Sequence, residues 1–146
     1  MKVAVGADHA GFEMKEAIKS HLKAAGHEVL DFGTDSAEST DYPDYGAPAA
    51  RSVAKGEAET GILFCGSGEG MTMVANKVKG VRAALVWRPD VARLSRLHND
   101  ANVLSLPARF VTVEQATEIV DTWLSTGFEG GRHVPRVKKM MSAEEE

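Results

Sequence analysis

At 146 residues, with 43% apolar and 26% charged side chains, the chain has the size and make-up of one globular domain, 1–146, which excludes disordered, collagen-like and fibrous readings. Its 17 Lys and Arg against 21 Asp and Glu leave a net charge of −4, so no nucleic-acid or membrane partner is expected. Apolar runs such as Ala83–Trp87 fall far short of the ~18 residues a spanning helix needs, and the lone Cys65 rules out an internal disulfide; a soluble protein of the reducing cytoplasm is expected.

Lys2–Gly6 reads as a short strand, after which Met14, Ala17, Ile18, Leu22 and Ala25 fall on one helical stripe that Gly26 ends. Glu28–Asp31 is a second strand, and Pro43 opens a helix running to about Lys55. Thr60–Cys65 is apolar without alternation, as in a strand covered on both faces; a glycine-rich turn and a short helix to about Val78 follow. Arg82–Val86 is the fourth strand, Pro89 to about Leu97 a helix, and Val103–Leu106 the fifth strand. Thr112 and Gln115 form a capping box before a helix whose Ala116, Ile119, Val120, Trp123 and Leu124 share one face. A basic helix follows Pro135, and Glu144–Glu146 reads as a frayed end. This alternation predicts an α/β fold: a three-layer α/β/α sandwich around a five-stranded parallel, Rossmann-like sheet.

In such folds ligands bind outside the carboxyl ends of the strands. The residues there are Asp8 and His9, the run Cys65-Gly66-Ser67-Gly68-Glu69-Gly70, and Pro107-Ala108-Arg109. A glycine-rich turn entering a helix can aim several N–H groups at a phosphate or oxyanion, although tight turning alone also calls for glycine. The dinucleotide fingerprint does not fit, because the glycines follow the third strand and Met71 stands at the final glycine position. Cys65 before a helix N-terminus suits a thiolate nucleophile or base, against the ordinary behaviour of a buried cysteine as a small hydrophobe. A cysteine-phosphatase loop would need an arginine where Met71 stands, six positions after Cys65. A response-regulator domain would need an aspartate in place of Cys65. His98 at a helix end suits acid–base work or a merely surface role, and Asp8, His9, His98 and Asp100 lack a metal-ligand spacing. Arg132, Arg136, Lys138 and Lys139 beside Gly130-Gly131 suit phosphate recognition or a solvated basic face.

Taken together, Gly6-Ala7-Asp8-His9-Ala10-Gly11-Phe12, Asp41-Tyr42-Pro43, the Cys65–Gly70 turn, Ala75-Asn76-Lys77, the segment from Leu94 through His98-Asn99-Asp100 to Asn102, and Glu129-Gly130-Gly131-Arg132-His133 with Arg136 resemble the type B ribose-5-phosphate isomerase family. That family also holds allose-6-phosphate isomerases and galactose-6-phosphate isomerase subunits, and the resemblance covers nearly the whole chain. It implies an aldose–ketose isomerisation through an enediolate, with neither metal nor cofactor. By resemblance, Cys65 is the base, Ser67 assists proton movement, His98 opens the furanose ring and Asp8 orients a sugar hydroxyl. The N–H groups of Gly66, Ser67, Gly68, Glu69 and Gly70 line an oxyanion hole, with the Glu69 carboxylate pointing away. His9, Tyr42, Asn99, Arg109, Arg132 and Arg136 hold the substrate, the arginines chiefly its phosphate. Some relatives use a glutamate base where Met71 stands here, which places this chain with the cysteine type. In the family the pocket is shared across a dimer interface, so a homodimer or a dimer of dimers is implied. The remaining alternatives are a non-catalytic sugar-phosphate binding module and a subunit that completes a partner's site.

Overall fold

Strands that are apolar at every position need cover on both faces, and the sheet of this chain receives it from helices packed on either side. The computed structural model describes all 146 residues. They form β1 (Lys2–Ala7), α1 (Phe12–Ala24), β2 (Glu28–Asp31), α2 (Pro43–Ala54), β3 (Thr60–Cys65) and α3 (Glu69–Asn76). There follow β4 (Ala83–Leu85), α4 (Pro89–Asn99), β5 (Val103–Pro107), α5 (Val113–Ser125), α6 (His133–Ser142) and a closing 3-10 turn, Ala143–Glu145. The five strands are parallel in the order β2-β1-β3-β5-β4. The expected three-layer sandwich is therefore what forms.

Alternate strand residues feed the two halves of the core. Val3, Val5, Ile62, Phe64, Leu104 and Leu106 face Met14, Ile18 and Leu22 of α1, Ala92 of α4, and Ile119, Val120 and Trp123 of α5. Ala4, Leu63, Cys65 and Val103 face Ala49, Ala50 and Val53 of α2 and Met71 and Ala75 of α3. Cys65 thus projects toward the α2–α3 layer from the end of the central strand. The Thr112–Gln115 capping box forms as expected, with Gln115 N–H donating to Thr112 Oγ1 at 3.1 Å and Thr112 N–H donating to Gln115 Oε1 at 2.8 Å.

Several element ends shift by a residue or two from the sequence reading, and three differences have structural consequences. Helix α4 runs on to Asn99, so His98 and Asn99 sit in its last turn and Asp100, at φ 48°, ends it in the left-handed region. Helix α6 begins at His133 rather than after Pro135, which is accommodated in the first turn, where no intrahelical N–H donor is needed. The acidic end is not simply frayed: Glu144 Oε1 accepts a 2.9 Å hydrogen bond from Gly80 N–H and ties the terminal turn to the approach to β4.

Candidate active site

The carboxyl ends of β1, β3 and β5, three adjacent strands, open into a cavity of about 450 Å³ lined by Asp8, His9, Tyr42, Cys65, Gly66, Ser67, Gly70, Arg109 and their neighbours Ala10 and Phe110. Asp8 is held by the chain that follows it, Oδ1 accepting from the N–H groups of Ala10 at 3.0 Å and Gly11 at 3.1 Å. His9 Nδ1 accepts from Thr40 N–H at 3.1 Å, so the neutral ring carries its proton on Nε2. Arg109 lies over the glycine turn: a β-carbon on Gly66 would sit 3.0 Å from its guanidinium. Tyr42 packs on the same turn, since a β-carbon on Gly70 would fall 2.7 Å from its ring. Gly68 adopts φ 77° to start α3, a conformation in which L side chains are strained.

The turn is wrapped around the thiol. The N–H groups of Met71, Gly68 and Gly70 point at Cys65 and favour its thiolate, but burial outweighs them and the Asp8 carboxylate opposes them, so the pKa is pushed up. This corrects the expectation that the helix N-terminus alone stabilises a thiolate. Ser67 Oγ accepts from Glu69 N–H at 3.3 Å. Glu69 itself is exposed and does not line the cavity, as expected for its carboxylate. Gly68 does not line it either and meets the site only through its N–H.

The other four residues singled out in the sequence lie elsewhere in the chain. His98, Asn99 and Arg136 line a second cavity of about 370 Å³ with His133, Val137 and Met140, and Arg132 caps the same helix, α6. Parallel topology explains the separation. Helix α4 descends to the start of β5, where Val103 pairs with Gly61, whereas Cys65 pairs with Pro107 at the far end of β3. Four strand residues, about 13 Å, separate those two ends of the sheet. Because α6 starts early and Arg132 has helical backbone angles, Arg132 and Arg136 lie four residues apart on one side of the helix. Neither they nor Arg109 make an ion pair, whereas Arg82 and Arg96 are both engaged with Asp100.

The sequence places Glu129 and His133 within the motifs that mark the family but gives them no part. In the fold, the His98 and His133 rings stack with centroids 4.3 Å apart, and Glu129 Oε2 lies 3.2 Å from His133 Nε2 and 3.7 Å from His98 Nε2. The four-residue step from Glu129 to His133 was a legible signal; its convergence with His98 was not.

A model of the family described as Ribose/Galactose Isomerase matches residues 3–140. The chain belongs to that family. Ribose-5-phosphate isomerase B of Escherichia coli K12 is 49% identical over 144 residues, covering 99% of this chain and 97% of that protein. The structure of Clostridium thermocellum ribose-5-phosphate isomerase B superposes with a TM-score of 0.98 at 49% identity, covering 99% of this chain and 98% of that one. Ribose-5-phosphate isomerase B of Mycoplasma genitalium, solved with bound ribulose-5-phosphate, gives a TM-score of 0.95 at 44% identity, covering 99% and 97%. The chain is accordingly an aldose–ketose isomerase of the sugar-phosphate class, built on the sheet described above. No helix of this isomerase is long and apolar enough to cross a membrane.

Proposed function

We propose that this isomerase interconverts ribose 5-phosphate and ribulose 5-phosphate, residues 1–146 acting as one domain in the cytoplasm and pairing at least as a homodimer. The observation that carries the reading is the division of the site. A thiol, an amide nest, His9 and Arg109 stand at the carboxyl ends of the strands, while His98, Asn99, Arg132 and Arg136 stand toward the opposite end. Two copies packed so that one chain's Cys65 cavity faces the other's His98 cluster would bring both halves to one substrate. Phe110, 75% exposed at the cavity mouth, and Trp87, 52% exposed, offer apolar surface for that packing.

In this reading His98 moves a proton at the ring oxygen and opens the furanose, with Asp8 orienting a sugar hydroxyl. The Cys65 thiolate takes the proton from C2, and the C–H electron pair forms the C1–C2 double bond as the C1=O π pair moves onto O1, giving an enediolate. With a proton passed from O2 to O1, the pair on O2 forms the C2 ketone and the C1–C2 double-bond pair takes the proton back from Cys65 at C1. Amides of the Gly66–Gly70 turn stabilise the developing oxyanion, and the Ser67 hydroxyl assists proton movement between the two oxygens. Arg109, Arg132, Arg136 and His9, through its Nε2–H, hold the phosphate, while Tyr42 and Asn99 bound the sugar.

Proton NMR of ribose 5-phosphate in deuterium oxide with EDTA present tests the proposal. Cysteine-dependent formation of ribulose 5-phosphate, abolished in Cys65→Ala, is expected. Activity on allose 6-phosphate but not ribose 5-phosphate would instead assign the longer sugar. Silence of the folded chain on both sugars would point to a subunit that needs a different partner.

A further inference from the structure

We infer that His98, Glu129 and His133 form a binding site for a transition-metal dication of the zinc type, and that filling it withdraws His98 from ring opening; the second half rests on the role proposed for His98 above. Three donor atoms converge: His98 Nε2, Glu129 Oε2 and His133 Nε2 all lie within 4.8 Å of one another. The separations of 3.2 Å and 3.7 Å from Glu129 Oε2 to the two ring nitrogens bracket the spacing, about 3.3 Å, of neighbouring ligands around a tetrahedral zinc with bonds of about 2.0–2.1 Å. His98 and His133 also line the adjoining cavity of about 370 Å³, from which water would supply a fourth ligand.

The second observation is an orphan. His133 is only 5% exposed, yet its Nε2 has no hydrogen-bond partner even though Glu129 Oε2 lies 3.2 Å away. Buried polar atoms are nearly always satisfied, and a metal ion would satisfy this one through its lone pair. The donors are also held in place by backbone: Glu129 N–H donates to Leu97 O at 3.1 Å and His133 N–H to Gly130 O at 3.1 Å. The stacked rings, 17° from parallel, aim their lone pairs side by side, so coordination requires a tilt of one ring. His98, whose side chain is 38% exposed, has the freedom to make it.

Donor chemistry sets the class of ion. Two imidazoles and one carboxylate suit zinc, cobalt, nickel or copper and discriminate against magnesium and calcium, which take oxygen ligands. The bound ion would occupy the His98 lone pair that ring opening needs, so zinc should act as a reversible inhibitor from a site separate from Cys65.

The test is a titration of chelator-treated full-length protein with Zn²⁺, and with Co²⁺ as a spectroscopic probe, using wild type, Glu129→Gln, His133→Asn and Cys65→Ala. One ion per chain is expected, bound more than about tenfold more weakly by Glu129→Gln and His133→Asn and equally well by Cys65→Ala. The Co²⁺ complex should show ligand-field absorption without thiolate-to-cobalt charge transfer. No binding by wild type, undiminished binding by Glu129→Gln, or loss of binding in Cys65→Ala overturns the site. Glu129 is exposed, so Glu129→Gln keeps the test decisive if the buried His133→Asn variant does not fold. Isomerase assays separate the two halves of the inference: zinc should slow wild type, EDTA should restore it, and Glu129→Gln should need more zinc relative to its own zinc-free rate. A filled site with unchanged turnover overturns the ring-opening role of His98 and leaves the metal site standing. Absence of isomerisation in the metal-free wild type overturns the proposed reaction and not the site.

Discussion

At Cys65 two opposing influences meet on one sulfur. Burial and the Asp8 carboxylate raise its pKa, and the amides of Met71, Gly68 and Gly70 only moderate the rise. Alkylation of Cys65 by iodoacetamide should therefore accelerate with pH to a midpoint above the ordinary thiol range, and kcat/KM should climb over the same interval. A midpoint below about 8.5 would contradict the dominance of burial. Removing the sulfur in Cys65→Ala should lower kcat by about 10²–10⁴-fold, the usual contribution of a positioned acid–base group. The arginines divide along equally simple lines. Arg96 donates to the Thr126 and Ala101 carbonyls and Arg82 to the Asp100 carbonyl, so both are structural, while Arg109, Arg132 and Arg136 keep their guanidinium groups unpaired. Replacing any of those three with alanine should raise KM by about 10–100-fold with little change in kcat, measured at saturating and limiting ribose 5-phosphate. A fall in kcat alone would remove that arginine from phosphate binding.

Elements show where local signals were sufficient and where they were not. The stripe of α1 was legible as Met14, Ile18 and Leu22, all buried. It concealed Lys15, which is 1% exposed and reaches Asp31 at 2.9 Å, with Lys19 at 2.8 Å on the same carboxylate. A buried lysine is invisible to periodicity, because its partner lies on β2, sixteen residues away. Asp31→Asn should cost about 2–3 kcal/mol, below the range for a fully buried pair because Asp31 is partly solvated, as read from urea unfolding at neutral pH. Burial pushes the Asp31 pKa up, but hydrogen bonds from Lys19, Lys15 and Gly33 N–H outweigh it, so the carboxyl is held below the ordinary range. Its contribution is then complete above the usual aspartate pKa and lost as pH falls through the lowered value. The gap between wild type and Asp31→Asn should close in acid; a gap independent of pH would remove the ion pair as its cause. Asn76 and Asn102, both within the motifs that marked the family, are structural too. Asn76 bonds both backbone groups of Ala83, and Asn102 bridges Arg82 N–H and the Gly80 carbonyl, pinning β4 in place.

For the whole molecule, the decisive feature is that parallel strands and their return helices put Cys65 and His98 at opposite strand ends of one sheet. A shared site predicts complementation. Cys65→Ala and His98→Asn should each be inactive or severely slowed alone on the ring-closed sugar. Equal amounts, unfolded and refolded together, should recover about a quarter of wild-type activity: about half the dimers are mixed, and one of the two sites in each has both groups. No recovery from a mixture shown to contain mixed dimers would exclude the shared site. Gel filtration of the wild type should show at least a dimer.

The order of strands and helices, the capping box, the double-faced burial of β3 and the membership of the isomerase family were all legible in the sequence, because periodicity, turn residues and motif spacing are local properties. Strand order, with β5 inserted between β3 and β4, was decided only by tertiary packing, as was the burial of Lys15. The direction of the Cys65 pKa belongs here as well: it depends on Asp8 and on the apolar layer around the sulfur, neither of which is set by neighbours along the chain. So does the parting of His98, Asn99, Arg132 and Arg136 from the Cys65 cavity, since motif spacing records order along the chain and only the fold converts order into distance.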